Sequence, residues 1–70
     1  MAKPRVGDRI ISKRNDGQYD VLEVTDQRRP VQDGVASLEA ARRVARDGLV
    51  EGGRLWYRDH RDAPEHLEEL

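Results

Sequence analysis

The sequence has no cysteine, which excludes disulfides and thiolate zinc sites together. Long apolar runs are missing too: apolar side chains never stand more than three in a row, far short of a membrane span. The opening stretch MAKPRVGD is too polar for a secretory signal, so the expected location is the cytoplasm. There is no glycine-rich phosphate loop, because Gly52-Gly53 leads into strand-like sequence whereas a phosphate cradle opens a helix. No internal repeat or low-complexity stretch is visible. Nor is there the charge imbalance that keeps chains unfolded: the net charge is −1, with 36% hydrophobic and 39% charged residues. What is left is a polar chain of 70 residues, near the lower limit of what folds alone. Its core must be thin enough that losing one or two apolar contacts threatens it.

The near-neutral total conceals an uneven distribution. Residues 1–58 carry 12 basic and 9 acidic side chains, a net of +3, whereas 59–70 carry Arg61 against Asp59, Asp62, Glu65, Glu68 and Glu69, a net of −4. A mildly basic body thus bears an acidic tail, expected to solubilise or to fold back weakly onto the body. The expected division is a single α+β domain over residues 1–62 and an acidic tail or short helix over 63–70.

Local signals place the elements. In DRIISKRNDGQYDVLEVT, two stretches rich in β-branched residues (8–13 and 19–25) flank Asn15-Asp16-Gly17, a strong hairpin turn in which Gly17 supplies a positive φ. Residues 26–34, broken by Pro30 and Asp33-Gly34, read as a loop with a short extended piece at Val31-Gln32. Ser37 reads as a helix N-cap, with Leu38, Ala41, Val44 and Ala45 on the inner side of a helix over 38–47. Glu39, Arg42, Arg43 and Arg46 fall on its outer side, with Gly48 as the left-handed stop and Leu49 packing back. A third strand follows over 54–58, with Leu55 and Tyr57 on one face and Arg54, Trp56 and Arg58 on the other. DAPEHLEEL is compatible with a short terminal helix, Pro64 in its first turn and Leu67 and Leu70 sharing a face.

The order β-β-α-β implies a two-layer α+β fold with one main helix on one face of a three-stranded antiparallel sheet. A crossover from the second strand through the helix makes the third parallel to the second, hence antiparallel to the first, in the order 2-1-3.

With these elements placed, the segments NDGQYDV (15–21), SLEAARRVARDG (37–48) and EGGRLWYRD (51–59) resemble a small bacterial family, domain of unknown function 2188. Its pattern is a strand, a D-G-G-W-like turn, a second strand, an A-x-x-A-A-R-x-x-A helix and a further strand after glycine. The chain departs from it in placing Tyr19 one position late, after Gln18, and in ending the last strand as Tyr57-Arg58-Asp59-His60. The resemblance implies a fold and carries no activity.

His60, Asp62, Glu65 and His66 are the sole cluster of metal-ligating or acid–base type, but histidines six apart do not share a helical face, so solvated surface is expected there. Ser37 is accounted for by capping, and Ser12 has no base near it in sequence. The expectation is a non-enzyme without cofactor, metal, small-molecule substrate or membrane partner. Each strand carries an adjacent apolar pair (Ile10-Ile11, Val21-Leu22, Leu55-Trp56), so the sheet has a second apolar face away from the helix. Two covers are available: the tail, with Leu67 and Leu70 across the face and its carboxylates meeting Arg54 and Arg58, or a second copy. Because the tail is short, the expected function is a protein-interaction module, self-associating as a homodimer through that face, with Arg54, Trp56, Arg58, Leu67 and Leu70 as partner-binding residues. The alternative is a weak nucleic-acid binder using Arg42, Arg43, Arg46 and Trp56, with Arg28-Arg29 near one end of the helix.

Overall fold

A computed structural model describes residues 3–61 and 66–70. The elements are β1 (Arg9–Lys13), β2 (Tyr19–Val24), β3 (Arg28–Val35), α1 (Leu38–Arg46), β4 (Leu55–Asp59) and β5 (Glu68–Glu69). They form one five-stranded mixed sheet in the order β3-β2-β1-β4-β5, with α1 as the helical layer.

The β1–β2 hairpin closes as its sequence dictates. Arg14 N–H donates to Gln18 O at 2.7 Å, Gln18 N–H donates to Asp16 Oδ1 at 2.9 Å, and Gly17 takes φ +86°. β1 and β2 pair antiparallel from Arg9↔Glu23 to Lys13↔Tyr19.

The order β2-β1-β4 is the expected one, but β4 runs parallel to β1, from Arg9↔Leu55 to Lys13↔Asp59, rather than antiparallel. The cause is β3, expected as a loop and found as an eight-residue strand antiparallel to β2. This extra strand reverses the chain once more before the α1 crossover. A crossover keeps strand sense, so β4 follows β3 and therefore β1.

The proline that disguised β3 is accommodated by its place at the sheet edge. Val24 uses its N–H and C=O on Asp8 O and Gly7 N, so by alternation Glu23 faces β3 and Arg29 faces β2. Pro30, next along, directs its donor-less nitrogen out of the sheet, where no ladder bond is lost. Two register irregularities opposite Val21 and the positive φ of Gly34 (+68°) complete the departure from regular strand sequence.

The face under α1 holds the larger core: Ile11, Val21, Val35 and Leu55 against Ala41 and Ala45, flanked by Tyr19, Ala40, Val44, Leu49 and Tyr57. Leu38, expected in this row, is 37% exposed; it stands in the first turn at the margin of a stripe centred on Ala41 and Ala45. The Ser37 hydroxyl accepts from Ala40 N–H at 3.1 Å, as an N-cap should.

The helix stops ahead of Gly48 as its sequence indicates, but the group that meets its last carbonyls comes from elsewhere. Asp47 is already extended (φ −67°, ψ 115°), Gly48 has φ +77°, and Leu49 N–H donates to Arg46 O at 3.1 Å. This is a type II turn, whose third position requires glycine. The helix carbonyls left over are met by Arg9 from β1. Its Nη1 donates to Val44 O at 3.2 Å and Ala45 O at 3.4 Å, and reaches Asp47 O as well. A buried guanidinium is tolerable here because the C-terminal end of a helix carries about half a negative charge.

A Cβ on Gly48 would stand 3.5 Å from Arg9 Nη2, an ordinary contact, so the requirement for glycine there is conformational. Gly48→Val is expected to cost roughly 1 kcal/mol or more, because a β-branched residue resists positive φ. An unchanged midpoint in chemical denaturation would show that the turn does not hold the helix end.

Candidate partner-binding surfaces

The second face of the sheet was expected to present Trp56 to a partner. Trp56 is in fact 2% exposed, and Ile10 beside it in register is fully buried. The chain fills this face itself, and the fastener is Asp8.

Gly7 N–H donates to Val24 O at 3.0 Å and Asp8 N–H to Arg5 O at 2.9 Å, which turns the segment before β1 into the sheet end. The Asp8 side chain has the strand parity of Ile10 and so points to Trp56's face. Its Oδ2 accepts from Trp56 Nε1 and from Arg5 N, both at 2.9 Å, and its Oδ1 accepts from Arg54 N at 3.0 Å. Asp8 is 4% exposed. Burial works against its charge, but the N–H groups of Arg5, Trp56 and Arg54, with the positive charge of Arg54, outweigh it. The carboxyl is held below its ordinary range.

The tail closes the same region from the other side. Described residues 66–70 contain no helix. They are extended, with β5 antiparallel to β4 (Trp56↔Glu69, Tyr57↔Glu68) and Leu70 N–H donating to Leu55 O at 2.9 Å. The first turn expected around Pro64, and the proposed boundary at 62–63, lie outside the described residues. Leu67 is half-buried and shares an open groove with Lys3, Pro4, Val24 and Arg28.

The sequence-derived partner-binding set is therefore split. Arg54 is outside, its Nη1 3.1 Å from Glu69 Oε1. Arg58 is half-buried, and its Nε has no hydrogen-bond partner among the described residues. Leu70 is 48% exposed. Trp56 is buried within the single chain, its indole N–H on Asp8. That also corrects the alternative set: Arg42, Arg43 and Arg46 stand on α1, on the opposite side of the sheet from Trp56, so the four do not share a surface. Of Arg28 and Arg29, the register puts Arg29 on the helix side, opposite Glu23, and Arg28 on the other.

The outer face of α1 is a shallow surface lined by Leu38, Glu39, Arg42, Arg43 and Arg46. Arg43 pairs with Glu39 at 3.3 Å, both well exposed. Arg42 and Arg46, one turn apart, have no carboxylate partner among the described residues.

His60 Nδ1 lies 3.1 Å from Asp59 Oδ1 and His66 Nε2 lies 3.7 Å from Glu68 Oε1. Arg61 side-chain and backbone bonds to Asp59 hold that carboxyl far below the usual range. Among the described residues no three His, Cys, Asp or Glu side chains converge on a metal-sized point; Asp62 and Glu65 lie outside them.

Fold and surface together define a small α+β domain with one charged helical face and an internally filled sheet face. Compared with family models, curated proteins and solved structures, the chain matches none.

Asp8 makes a direct prediction. Its carboxyl binds a proton less readily than the 3.8 of an unstructured aspartate, so its contribution is complete above that value and is lost as pH falls below it. The melting temperature is expected to be flat above about pH 5 and to fall below about pH 4. Asp8→Ala at neutral pH strands an indole N–H and two backbone N–H groups and is expected to cost about 2–4 kcal/mol. A midpoint within error of wild type would remove Asp8 from its role as fastener.

Proposed function

We propose that the chain is a small non-enzymatic module that binds a protein partner with an acidic surface, through the outer face of α1. One observation carries this reading: Arg42 and Arg46 stand one helical turn apart beside half-exposed Leu38, with no carboxylate partner among the described residues. Guanidinium forks fit carboxylates two-point, and a neighbouring leucine adds apolar contact that phosphate backbones do not reward. A non-enzymatic role is supported by the way the two buried carboxylates are spent. Asp8 takes three N–H donors and Asp59 is engaged by Arg61 and His60, which leaves neither poised as a base. Self-association directly through Trp56 would first have to displace the segment anchored by Asp8, so the proposed surface is on the other side of the molecule. Work in the cytoplasm is part of the proposal; among the described residues no helix is long and apolar enough to cross a membrane. Membership of domain of unknown function family 2188 is likewise part of the proposal, resting on the segments quoted for it.

Nucleic-acid binding is the second reading, favoured by the same exposed arginines, now without a stacking aromatic. The two part company in one experiment with wild type and an Arg42→Glu/Arg46→Glu double variant. Exposed substitutions of this kind are expected to leave stability within about 0.5 kcal/mol. The proposal expects proteins captured by the wild-type chain from its native cell to be lost with the variant, and no oligonucleotide mobility shift at about 150 mM salt. A shift that weakens steeply with salt and disappears in the variant would favour nucleic acid. Identical captured proteins for both chains would remove α1 from binding.

A further inference from the structure

β4 is complete before β5 is added. Leu55 and Trp56 are buried, the strand pairs with β1 from Arg9↔Leu55 to Lys13↔Asp59, and Asp8 fixes its start through Arg54 N–H. Its outer edge is therefore a preformed row of main-chain groups, the kind of edge that accepts an added strand.

β5 fills that edge with few contacts. It has two residues, both exposed, paired as Trp56↔Glu69 and Tyr57↔Glu68. Beyond the ladder it brings the Leu70 N–H to Leu55 O bond and the Arg54–Glu69 pair at 3.1 Å, whose side chains are each 46% exposed. Main-chain bonds and an ion pair are the same whether the strand comes from this chain or from an identical one. The charges favour both equally, since residues 60–70, with a net of −3, are drawn to any body of residues 1–59, with a net of +2.

We infer that β5 is an exchangeable strand, and that the β4 edge takes the tail of a second copy of this chain, which receives the first copy's tail in return. The product is a closed two-fold dimer, built by repeating in trans the contacts already made in cis. Because the contacts are alike in the two forms, concentration decides between them: each tail stays home at low concentration and crosses over at high. This does not depend on the face of α1, and it leaves Trp56 as buried as it is in the single chain.

Charge reversal tests it in the full-length chain. Arg54→Glu alone and Glu69→Arg alone each set like charges against one another, both in the closed chain and in a dimer of identical chains. In an equimolar mixture, exchange sets the wild-type tail against the wild-type body, and the introduced arginine against the introduced glutamate. Both positions are half-exposed, so folding is expected to survive. By light scattering, the mixture is expected to reach the mass of two chains at concentrations where each variant alone keeps the mass of one. A mixture that stays at single-chain mass overturns the inference, and so does a rise that is equal in all three samples.

Discussion

The bond from the Trp56 indole to Asp8 ties the second face of the sheet to the strand ends that its backbone ladders already bring together. One carboxylate collects the N–H groups of Arg5, Arg54 and Trp56, so a single side chain fixes the entry to β1, the start of β4 and the largest apolar residue on the second face. In a 70-residue protein with no disulfide, that economy matters, because two thin layers of apolar side chains flank one sheet. Arg9 does the reciprocal work. Neighbours on a strand point to opposite faces, so Asp8 secures the Trp56 side while Arg9 reaches up to the carbonyls at the end of α1. Two adjacent charged residues thus anchor both layers from one strand end: Asp8 takes two backbone N–H groups and the Trp56 indole, and Arg9 Nη1 takes the carbonyls at the end of α1.

The parts of this design that follow local rules were legible in the sequence. The Asn15-Asp16-Gly17 hairpin, the Ser37 cap, the Ala41–Ala45 stripe, the assignment of Leu55 and Tyr57 to one face and Trp56 to the other, and the order of β2, β1 and β4 were all readable. β3 was not, because it violates strand patterning at nearly every position. RRPVQDGV has proline, glycine and four charged or amide side chains, and it survives as a strand by standing at an edge with its irregularities turned outward. The cost of missing it was the sense of β4, since one uncounted reversal inverts every later strand. Asp8 left a fainter signal. Its parity with Ile10 places it on Trp56's side, but whether a polar residue at a strand end faces water or a buried indole is settled only by the chain that folds over it. The spacing of Leu67 and Leu70 left the tail open to a short helix; near β4, the available edge and Arg54 favour an extended course instead.

These corrections change where a partner can be met. A sheet with one helix layer suggests an empty second face, and an aromatic there suggests an interface. With Trp56 buried in the single chain, the surfaces that remain open to a partner include the α1 arginines, the blunted β3 edge and the β4 edge under its short strand. The first has chemistry for an acidic surface, the second resists pairing because of Pro30 and its bulges, and the third is filled by a segment of opposite charge. Each role follows from how much main chain or charge the folded chain leaves unsatisfied there.

The central claim is that the chain itself fills the face carrying Trp56, and the sequence supplies its own probe, since Trp56 is the one tryptophan. The direct measurement is its fluorescence and acrylamide quenching over a range of protein concentrations, starting from dilute solution. The account predicts a blue-shifted emission protected from quencher and independent of protein concentration, because the cover is intramolecular. Emission like that of free indole, with protection gained only as concentration rises, would contradict it and return the face to a partner.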